Sequence, residues 1–423
     1  MRFSIALIPA LFLVACSGNG NNNDSENNEP LSFEMQQFCI NETNLLGSFD
    51  EIDLYEGGFS GLIYIPGSDM EFFTVTDRGP NALVKEIEGK ESHVLFPLPD
   101  YTQKIIRLKL ENNEFKMVSI HPILDMDGNP IGGLPPHSLI TEHPELAFAN
   151  LNGSQPEQRK WNFDIEAISI DANGDIWLAD EYRPAVVLVD GKNFRIKEVF
   201  SAEANDMGGT RILDTYFSKR MPNRGFEGIA VTPSGKILAM LQSPIQNFES
   251  LDSIPTRLIR ILYFDPFTGK SKVFGYETSE HVRDPKIGDI AVINENEFLI
   301  IEHGKDSSGK TANIFRLDIE FASDISKHEF GLGTSFEALI NNAKAQYQGF
   351  ILAQKTHVLN LIDAGFDPSF GKPEGLSVIN ANTIAVLNDN DFGIDKLDEN
   401  GKLKMNQQPN CIYLFTFNKP VFK

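Results

Sequence analysis

The chain has 423 residues, with 59 acidic and 37 basic side chains and a formal net charge of −22. This length is about two to three times that of a usual domain, so the chain can bury a large core as several domains or as one repeat array. The acidic balance, without a basic cluster, argues against a nucleic-acid partner. The 33 Gly and 23 Pro residues indicate many turns and disfavour a helical bundle.

The first residues have the pattern of a secretion signal. Residues 1–15 carry Arg2 and then an apolar run that is too short to span a bilayer. The run ends in the sequence LVAC, which resembles the lipobox of bacterial lipoproteins and implies acylation of Cys16. A plain signal peptide is the alternative.

A polar segment follows the predicted signal. Residues 16–34 are low in complexity, so we expect a flexible tether ahead of a folded domain at 35–423. Ser17 after the cysteine is similar to the pattern of outer-membrane lipoproteins. We therefore expect an exported lipoprotein at the outer membrane or the periplasmic face, which meets the membrane only through its lipid.

Two cysteines remain for the folded region. Cys39 and Cys411 lie near its two ends, and an oxidising compartment favours pairing of an even number of thiols. We predict a Cys39–Cys411 disulfide. Two unrelated buried thiols are the alternative.

One sequence pattern recurs five times in the body of the chain. Each copy is an apolar run, a turn rich in Gly, Asn or Pro, and a second apolar run that ends in polar residues, which is the pattern of a β-hairpin. The copies begin at Gly57, Phe163, Gly225, Ile287 and Lys372. Two more strand-like runs follow most copies, and four strands per repeat is the blade of a β-propeller.

We therefore predict an all-β fold, a β-propeller with five recognisable four-stranded blades. The last copy lacks one strand, and a run around 38–49 can supply it, so that strands from both chain ends close the ring. Six blades are the alternative, with the sixth drawn from 121–162 or 201–224, which have the character of loops. Long insertions are expected at 121–162 and 327–356, and such loops are often functional.

The repeat places acidic residues at equivalent positions. The start of the first strand and the end of the second emerge on one face of the ring. The first-strand starts are Ser60, Glu166, Glu227, Asp289 and Glu374.

Two carboxylates ~6 Å apart repel by about 3 kcal/mol at an effective dielectric constant near 20, so we predict that the four acids bind a divalent cation. Oxygen ligands favour Ca²⁺ over Mg²⁺ or Mn²⁺. The alternative is that these acids accept backbone N–H bonds and hold one blade to the next.

The second-strand ends supply the remaining candidates. Those with a predicted catalytic role are Asp77, Arg78, Asp180, Glu181, Arg183, Glu302 and His303. Those with a predicted substrate-binding role are Gln242, Asn388, Asp389 and Asn390. The two arginines are expected to hold an anionic group, or alternatively to pair with the adjoining acids. His303 is a candidate general base beside Glu302, or alternatively a packed histidine.

The five motifs together resemble the esterase-like phytase family. The resemblance extends from Leu46 to Phe417 and is carried by strings such as IEAISIDANGDIWLADEYRP and PEGLSVINANTIAVLNDNDFG. It implies a secreted bacterial β-propeller with phosphoesterase or carboxylesterase activity. Two copies depart from the Glu-Gly pair of the motif, at Ala167 and at Asp289-Ile290.

We therefore expect a monomeric enzyme that performs metal-assisted hydrolysis of a small ester or phosphoester at the mouth of the propeller. Phytate itself is disfavoured by the acidic charge of the chain. Serine esterase chemistry is disfavoured because Leu62 stands where a nucleophile elbow at Ser60 needs glycine. The alternative function is a non-enzymatic surface lipoprotein whose ring binds a ligand or a partner.

Overall fold

The computed structural model describes residues 11–12, 31–87, 91–136, 145–202, 211–245, 256–326, 337, 349–406 and 408–422. The predicted signal peptide, apart from Leu11–Phe12, and the lipidation at Cys16 lie outside the described residues. So does most of the predicted insertion at 327–356. Within the described part of the chain, no helix is long and apolar enough to cross a membrane.

Five sheets correspond to the five repeat copies, and we call them blades I to V. From the innermost strand outwards, blade I contains Phe59–Tyr64, Glu71–Thr76, Lys104–Glu111 and Glu114–Pro122. Blade II contains Ile165–Ile170, Ile176–Asp180, Ala185–Val189, Ile196–Ser201 and the short parallel strand Arg211–Ile212. Blade III contains Phe226–Val231, Ile237–Leu241, Leu258–Phe264 and Ser271–Glu277.

The last two blades follow the same order. Blade IV contains Arg283–Val292, Glu297–Lys305, Lys310–Asp318 and Gln354–Asn360. Blade V contains Lys372–Asn380, Thr383–Asp389, Cys411–Phe417 and Phe33–Cys39, with Leu11–Phe12 paired at its outer edge.

The innermost strands contact one another in the cyclic order I, II, III, IV, V and back to I, which closes the ring. The predicted all-β propeller with five blades is therefore confirmed. In the described parts of 121–162 and 201–224 no sixth set of four strands is present. Apolar side chains from facing blades fill the spaces between the sheets, and the largest such cluster joins blades II, III and IV.

Both chain ends build blade V. The strand Phe33–Cys39 pairs antiparallel with Cys411–Phe417, which places Cys39 directly opposite Cys411, and a disulfide joins the two. This confirms the predicted pairing and the predicted closure. The closing strand is shorter and earlier than the expected run at 38–49, because the turn-forming residues at 41–44 end it and Leu45–Phe49 pairs instead with Ile52–Tyr55.

Smaller elements leave the ring between the blades. They are a three-stranded sheet of Ala82–Ile87, Glu91–Leu95 and Glu145–Phe148, a hairpin of Ile394–Leu397 and Leu403–Met405, and 3₁₀ turns at Thr215–Lys219, Pro368–Phe370 and Asp391–Gly393. Leu54, Ala82, Leu95, Ile394 and Leu403 form a core of their own. These segments extend from strand ends at the mouth, so they add a layer to blades I and V on that face.

Candidate functional site

A bulge interrupts the innermost strand of every blade, close to the position that is serine in blade I and acidic in blades II to V. The register shifts between Ser60 and Leu62, Ile165 and Ala167, Phe226 and Gly228, Ile287 and Ile290, and Pro373 and Gly375. A bulged residue leaves the ladder and its side chain is re-aimed. The neighbouring glycine has a packing role, since a Cβ on Gly228 would lie 2.8 Å from Ile290 Cγ1 of the next blade. The Glu-Gly pair thus aims an acid at the mouth and lets two blades approach closely.

Three buried carboxyl groups meet at the junction of blades I and II. Asp77 follows the second strand of blade I, Asp164 precedes the first strand of blade II, and Glu166 occupies its bulge. Each offers an oxygen, and these oxygens lie within 4.8 Å of one another. Among the described residues, neither oxygen of Asp164 has a hydrogen-bond partner, although Arg78 Nη1 lies 3.4 Å from Oδ2. We call these three residues the acidic triad.

The triad is electrostatically strained unless a cation or protons are present. Burial raises the pKa of Asp164 to about 7, against the opposing effect of the Arg78 charge. The pKa of Asp77 lies well above its ordinary value because of burial first and the Asp164 charge second. Burial first, and then the Asp77 charge, raise the pKa of Glu166 well above its ordinary value. A divalent cation with oxygen ligands would remove this penalty.

The four acids predicted to bind the cation do not act as one group. All four are buried, but among the described residues only Glu166 belongs to a cluster of three carboxyl groups that could share an ion. Asp289 accepts backbone N–H bonds from Ile290 at 2.7 Å and from Leu376 at 2.8 Å. It therefore holds blade IV to blade V, as the alternative interpretation stated. The reason is local, since Gly288 takes the position of the glutamate in the motif and shifts the acid by one residue.

Glu227 and Glu374 lie elsewhere in the mouth. The pKa of Glu227 is raised well above its ordinary value by burial and by the charges of Glu181 and Glu374. One of its oxygens, Oε2, has no hydrogen-bond partner in the described structure. Lys372 Nζ lies 3.1 Å from Glu374 Oε1 and partly balances this second group of acids. A metal-binding role for Glu227 and Glu374 stays a prediction.

The two arginines expected to hold an anion are bound to protein groups. Arg78 Nη1 lies 2.8 Å from Glu145 Oε2, and its guanidinium carbon lies 5.6 Å from the centre of the Tyr182 ring. Arg183 is buried and donates from Nη1 to the Asn162 carbonyl oxygen at 2.8 Å. Arg78 therefore pairs with acids, as the alternative expected, but with Glu145 and Asp164 rather than with its neighbour in the sequence. The contact of Arg183 is with a backbone carbonyl group, and an anion-binding role for either arginine stays a prediction.

Asp180 acts on the triad through the backbone. Its Oδ1 accepts the Asp164 N–H at 2.9 Å, and its Oδ2 accepts the Arg183 N–H at 3.2 Å. The carboxyl group is fully buried, and burial raises its pKa to about 7. Asp180 is therefore placed as a positioning residue for Asp164. A catalytic role for Asp180 stays a prediction.

Glu302 and His303 do not form the expected acid–base pair. Successive residues of a strand point to opposite faces, so their side chains diverge. Glu302 faces blade III and accepts a bond from the Ser279 N–H at 3.0 Å, just after the last strand of that blade. It also accepts a bond at 3.1 Å from Nζ of Lys355, which lies on the outer strand of blade IV. His303 faces blade V. Burial first, and then nearby cations including Lys286, lower its pKa to about 3, so the imidazole is neutral.

The four residues predicted to bind substrate divide into two groups. Asn388 accepts the Cys411 N–H at 2.6 Å, and Asn390 accepts the Gly58 N–H at 3.0 Å, so both hold backbone segments together. Gln242 is buried at the mouth, and its Oε1 has no partner among the described residues. Asp389 Oδ2 lies 3.3 Å from Lys372 Nζ. Gln242 and Asp389 therefore remain candidates for contact with a ligand.

Several charged residues at the mouth were missed in the sequence. Asp164 and Lys372 each stand two residues before a motif glutamate, and side chains two apart on a strand share a face. This spacing could have identified both residues as members of the mouth. Lys286 and Arg224 also act on mouth acids, as both oppose the rise in the pKa of Glu181. Glu145 comes from a separate small sheet, and no local pattern marks it.

A family model described as phytase-like, with esterase-like activity of phytase, matches residues 55–392. The chain belongs to the phytase-like family. The match contains the acidic triad and the repeat motifs, and membership supports an esterase-like hydrolase built on a propeller. No curated protein matches this phytase-like chain.

Solved structures similar to this phytase-like protein include three with low identity. A gluconolactonase from Xanthomonas campestris is 8% identical, with a TM-score of 0.34 over 90% of this chain and 97% of that one. A PQQ-bound aldose sugar dehydrogenase from Streptomyces coelicolor is 10% identical, with a TM-score of 0.34 over 89% and 98%. A virginiamycin B lyase from Staphylococcus aureus is 9% identical, with a TM-score of 0.30 over 91% and 99%. Similarity this low carries no argument about activity.

Proposed function

We propose that the protein hydrolyses small phosphoesters at the mouth of the propeller, with a divalent cation bound by the acidic triad. The observation that carries this proposal is the set of three buried carboxyl groups in which both Asp164 oxygens lack a hydrogen-bond partner among the described residues. Buried polar atoms are normally satisfied, so a ligand for these oxygens is expected. An all-oxygen site favours Ca²⁺.

The surrounding residues suit phosphoester chemistry. A divalent cation held by the acidic triad would supply a Lewis acid for a phosphoryl oxygen and would lower the pKa of a water molecule. Glu181 is suited to act as a general base, because burial raises its pKa to about 7. Its Oε1 has no hydrogen-bond partner in the described structure, although Arg224 Nη1 lies 3.9 Å from it. Lys372, Lys286 and Arg224 add positive charge at the mouth, as their effects on nearby acids show. This local charge suits a substrate with one phosphate group better than it suits phytate.

A panel of substrates tests the proposal. We expect the Ca²⁺-loaded protein to hydrolyse a phosphomonoester, to lose this activity in chelator and to regain it when Ca²⁺ is restored. A Glu181→Gln variant should lose about 100-fold or more in kcat without losing its metal, because general-base catalysis typically contributes that much. The assays should cover a phosphomonoester, a phosphodiester, phytate and a short acyl ester.

The other outcomes of this panel are informative. Turnover of the acyl ester that is insensitive to chelator would replace the phosphoesterase proposal with a metal-independent esterase. No turnover of any substrate by a protein that retains its metal would favour the non-enzymatic binding platform.

We also propose that the chain is exported and anchored by a lipid on Cys16. The Cys39–Cys411 disulfide supports this, because such bonds persist in oxidising compartments. The native protein should fractionate with membranes, and a Cys16→Ser variant should appear in the soluble fraction. Mass spectrometry of the N-terminal peptide checks the modification directly. An unmodified Cys16 in membrane-bound native protein would contradict the proposal.

A further inference from the structure

A cationic cavity lies between blade IV and the segment that leads into blade V. Its volume is about 240 Å³. Its charged lining consists of Arg283, Lys286, Lys305, Lys310 and Lys372, with a single carboxylate from Asp284. A concentration of positive charge is unusual in a chain with a net charge of −22. We call this space the cationic pocket.

His303 supplies a buried polar atom to the pocket wall. The residue is 9% exposed, and its Nε2 has no hydrogen-bond partner among the described residues. A buried polar atom without a partner carries a cost in free energy, so the pocket lacks a hydrogen-bonding group that a ligand can provide. A neutral imidazole offers one N–H donor, and the lysine charges around it favour an anion as the ligand.

The lysines differ in how far their charge is balanced. Burial and the charges of Arg224 and Lys372 lower the pKa of Lys286, against the opposing charges of Glu181 and Asp284. Lys310 Nζ donates to the Pro368 carbonyl oxygen at 2.9 Å. Lys372 Nζ lies 3.1 Å from Glu374 Oε1 and 3.3 Å from Asp389 Oδ2. Lys372 thus belongs both to the pocket and to the acidic part of the mouth, so the two spaces are adjacent.

We propose that the cationic pocket binds a phosphate group through Lys286, Lys310 and His303. Lysine is a common point-charge partner of phosphate, and the volume accommodates a phosphate group together with several water molecules. The pocket lies beside Lys372, while the acidic triad lies at the junction of blades I and II. The mouth therefore has a cation-binding side and an anion-binding side. Only the assignment of this phosphate to a substrate rests on the proposed function.

The test is a calorimetric titration of the full-length, chelator-treated protein with inorganic phosphate at fixed pH and ionic strength. We expect saturable binding that is weakened about tenfold or more by Lys286→Gln and by Lys310→Gln. Lys270→Gln is the matched control, because Lys270 is exposed in a turn of blade III and the charge change is the same. Lys310 is also exposed, so its variant should fold, and thermal unfolding verifies this for each protein.

The outcomes separate this inference from the proposed function. If phosphate does not bind to the metal-free protein, or if Lys270→Gln weakens binding as much as the pocket variants do, the proposal of phosphate binding in the cationic pocket is wrong. Binding that requires Ca²⁺ would place the phosphate at the triad and would also overturn it. Phosphate binding by a protein that hydrolyses nothing would keep the pocket and reject the phosphoesterase. A parallel titration compares glycerol 2-phosphate with inorganic phosphate. Tighter binding of glycerol 2-phosphate would indicate a site for an esterified phosphate, and equal binding of the two would indicate a site for the free ion.

Discussion

An Asp164→Asn variant is expected to lose divalent-cation binding and, at pH 8, to be more stable than the metal-free native protein. The substitution keeps the shape of the side chain but removes one charge from the acidic triad. Two charges about 4 Å apart repel by about 4 kcal/mol at an effective dielectric constant of 20, so relief of part of that repulsion should be measurable. Metal analysis after dialysis and thermal unfolding with and without Ca²⁺ check both statements.

Glu227→Gln is the matched control for this experiment. Glu227 is also a buried carboxyl group of the mouth, 1% exposed, but it lies outside the triad. We expect this variant to keep its metal and its stabilisation by Ca²⁺. Loss of metal in Glu227→Gln together with retention in Asp164→Asn would instead support the ring of four acids inferred from the repeat.

The acidic triad should make the metal-free protein less stable as pH rises. A carboxyl group whose pKa is higher in the folded than in the unfolded state binds more protons when folded, so it destabilises the fold as pH rises between the two values. For Asp164 this window extends from 3.8 to about 7. Metal binding requires the deprotonated form, so the increase in Tm caused by Ca²⁺ should be large at pH 8 and small at pH 5.5. A pH-independent increase would show that the ion binds away from the triad.

Removal of the Cys39–Cys411 disulfide is expected to lower the free energy of unfolding by about 3–5 kcal/mol. The bond joins residues 372 positions apart and fastens blade V, which is built from both chain ends. Without it, the strand Phe33–Cys39 stays in blade V only through its ladder to Cys411–Phe417 and its side-chain packing. The measurement is denaturant unfolding of a Cys39→Ala/Cys411→Ala double variant.

Hydrogen exchange locates this effect. Protection should decrease first in the two outer strands of blade V, while blade III serves as the internal control because no terminal strand contributes to it. Metal binding should persist under folding conditions, since the triad is built by blades I and II. An equal loss of protection in all blades, or an unchanged free energy of unfolding, would show that the ladder alone closes the ring.

Local patterns in the sequence predicted the parts of the site that repeat. The shared start of the first strand in each repeat identified Glu166, Glu227 and Glu374 as buried mouth residues, because a bulge at a fixed point of each hairpin aims them inwards. It failed for Asp289, where the order of acid and glycine is reversed and the side chain meets a neighbouring backbone. The pairing of Glu302 with His303 was predicted from their adjacent positions at a strand end, and it failed because successive side chains of a strand point to opposite faces.

The five blades could be predicted from the sequence because each hairpin pattern lies within one local segment. The closing strand and the disulfide could be predicted because strands and cysteines can be counted without knowledge of how the blades pack. Which carboxyl groups share a site, and where the balancing cations lie, follows only from the packing of the blades around the ring. Asp77 and Asp164 come from different blades, and the cationic pocket lies between two more. The distance between side chains on separate blades depends on how the sheets pack around the ring, and no local spacing encodes it.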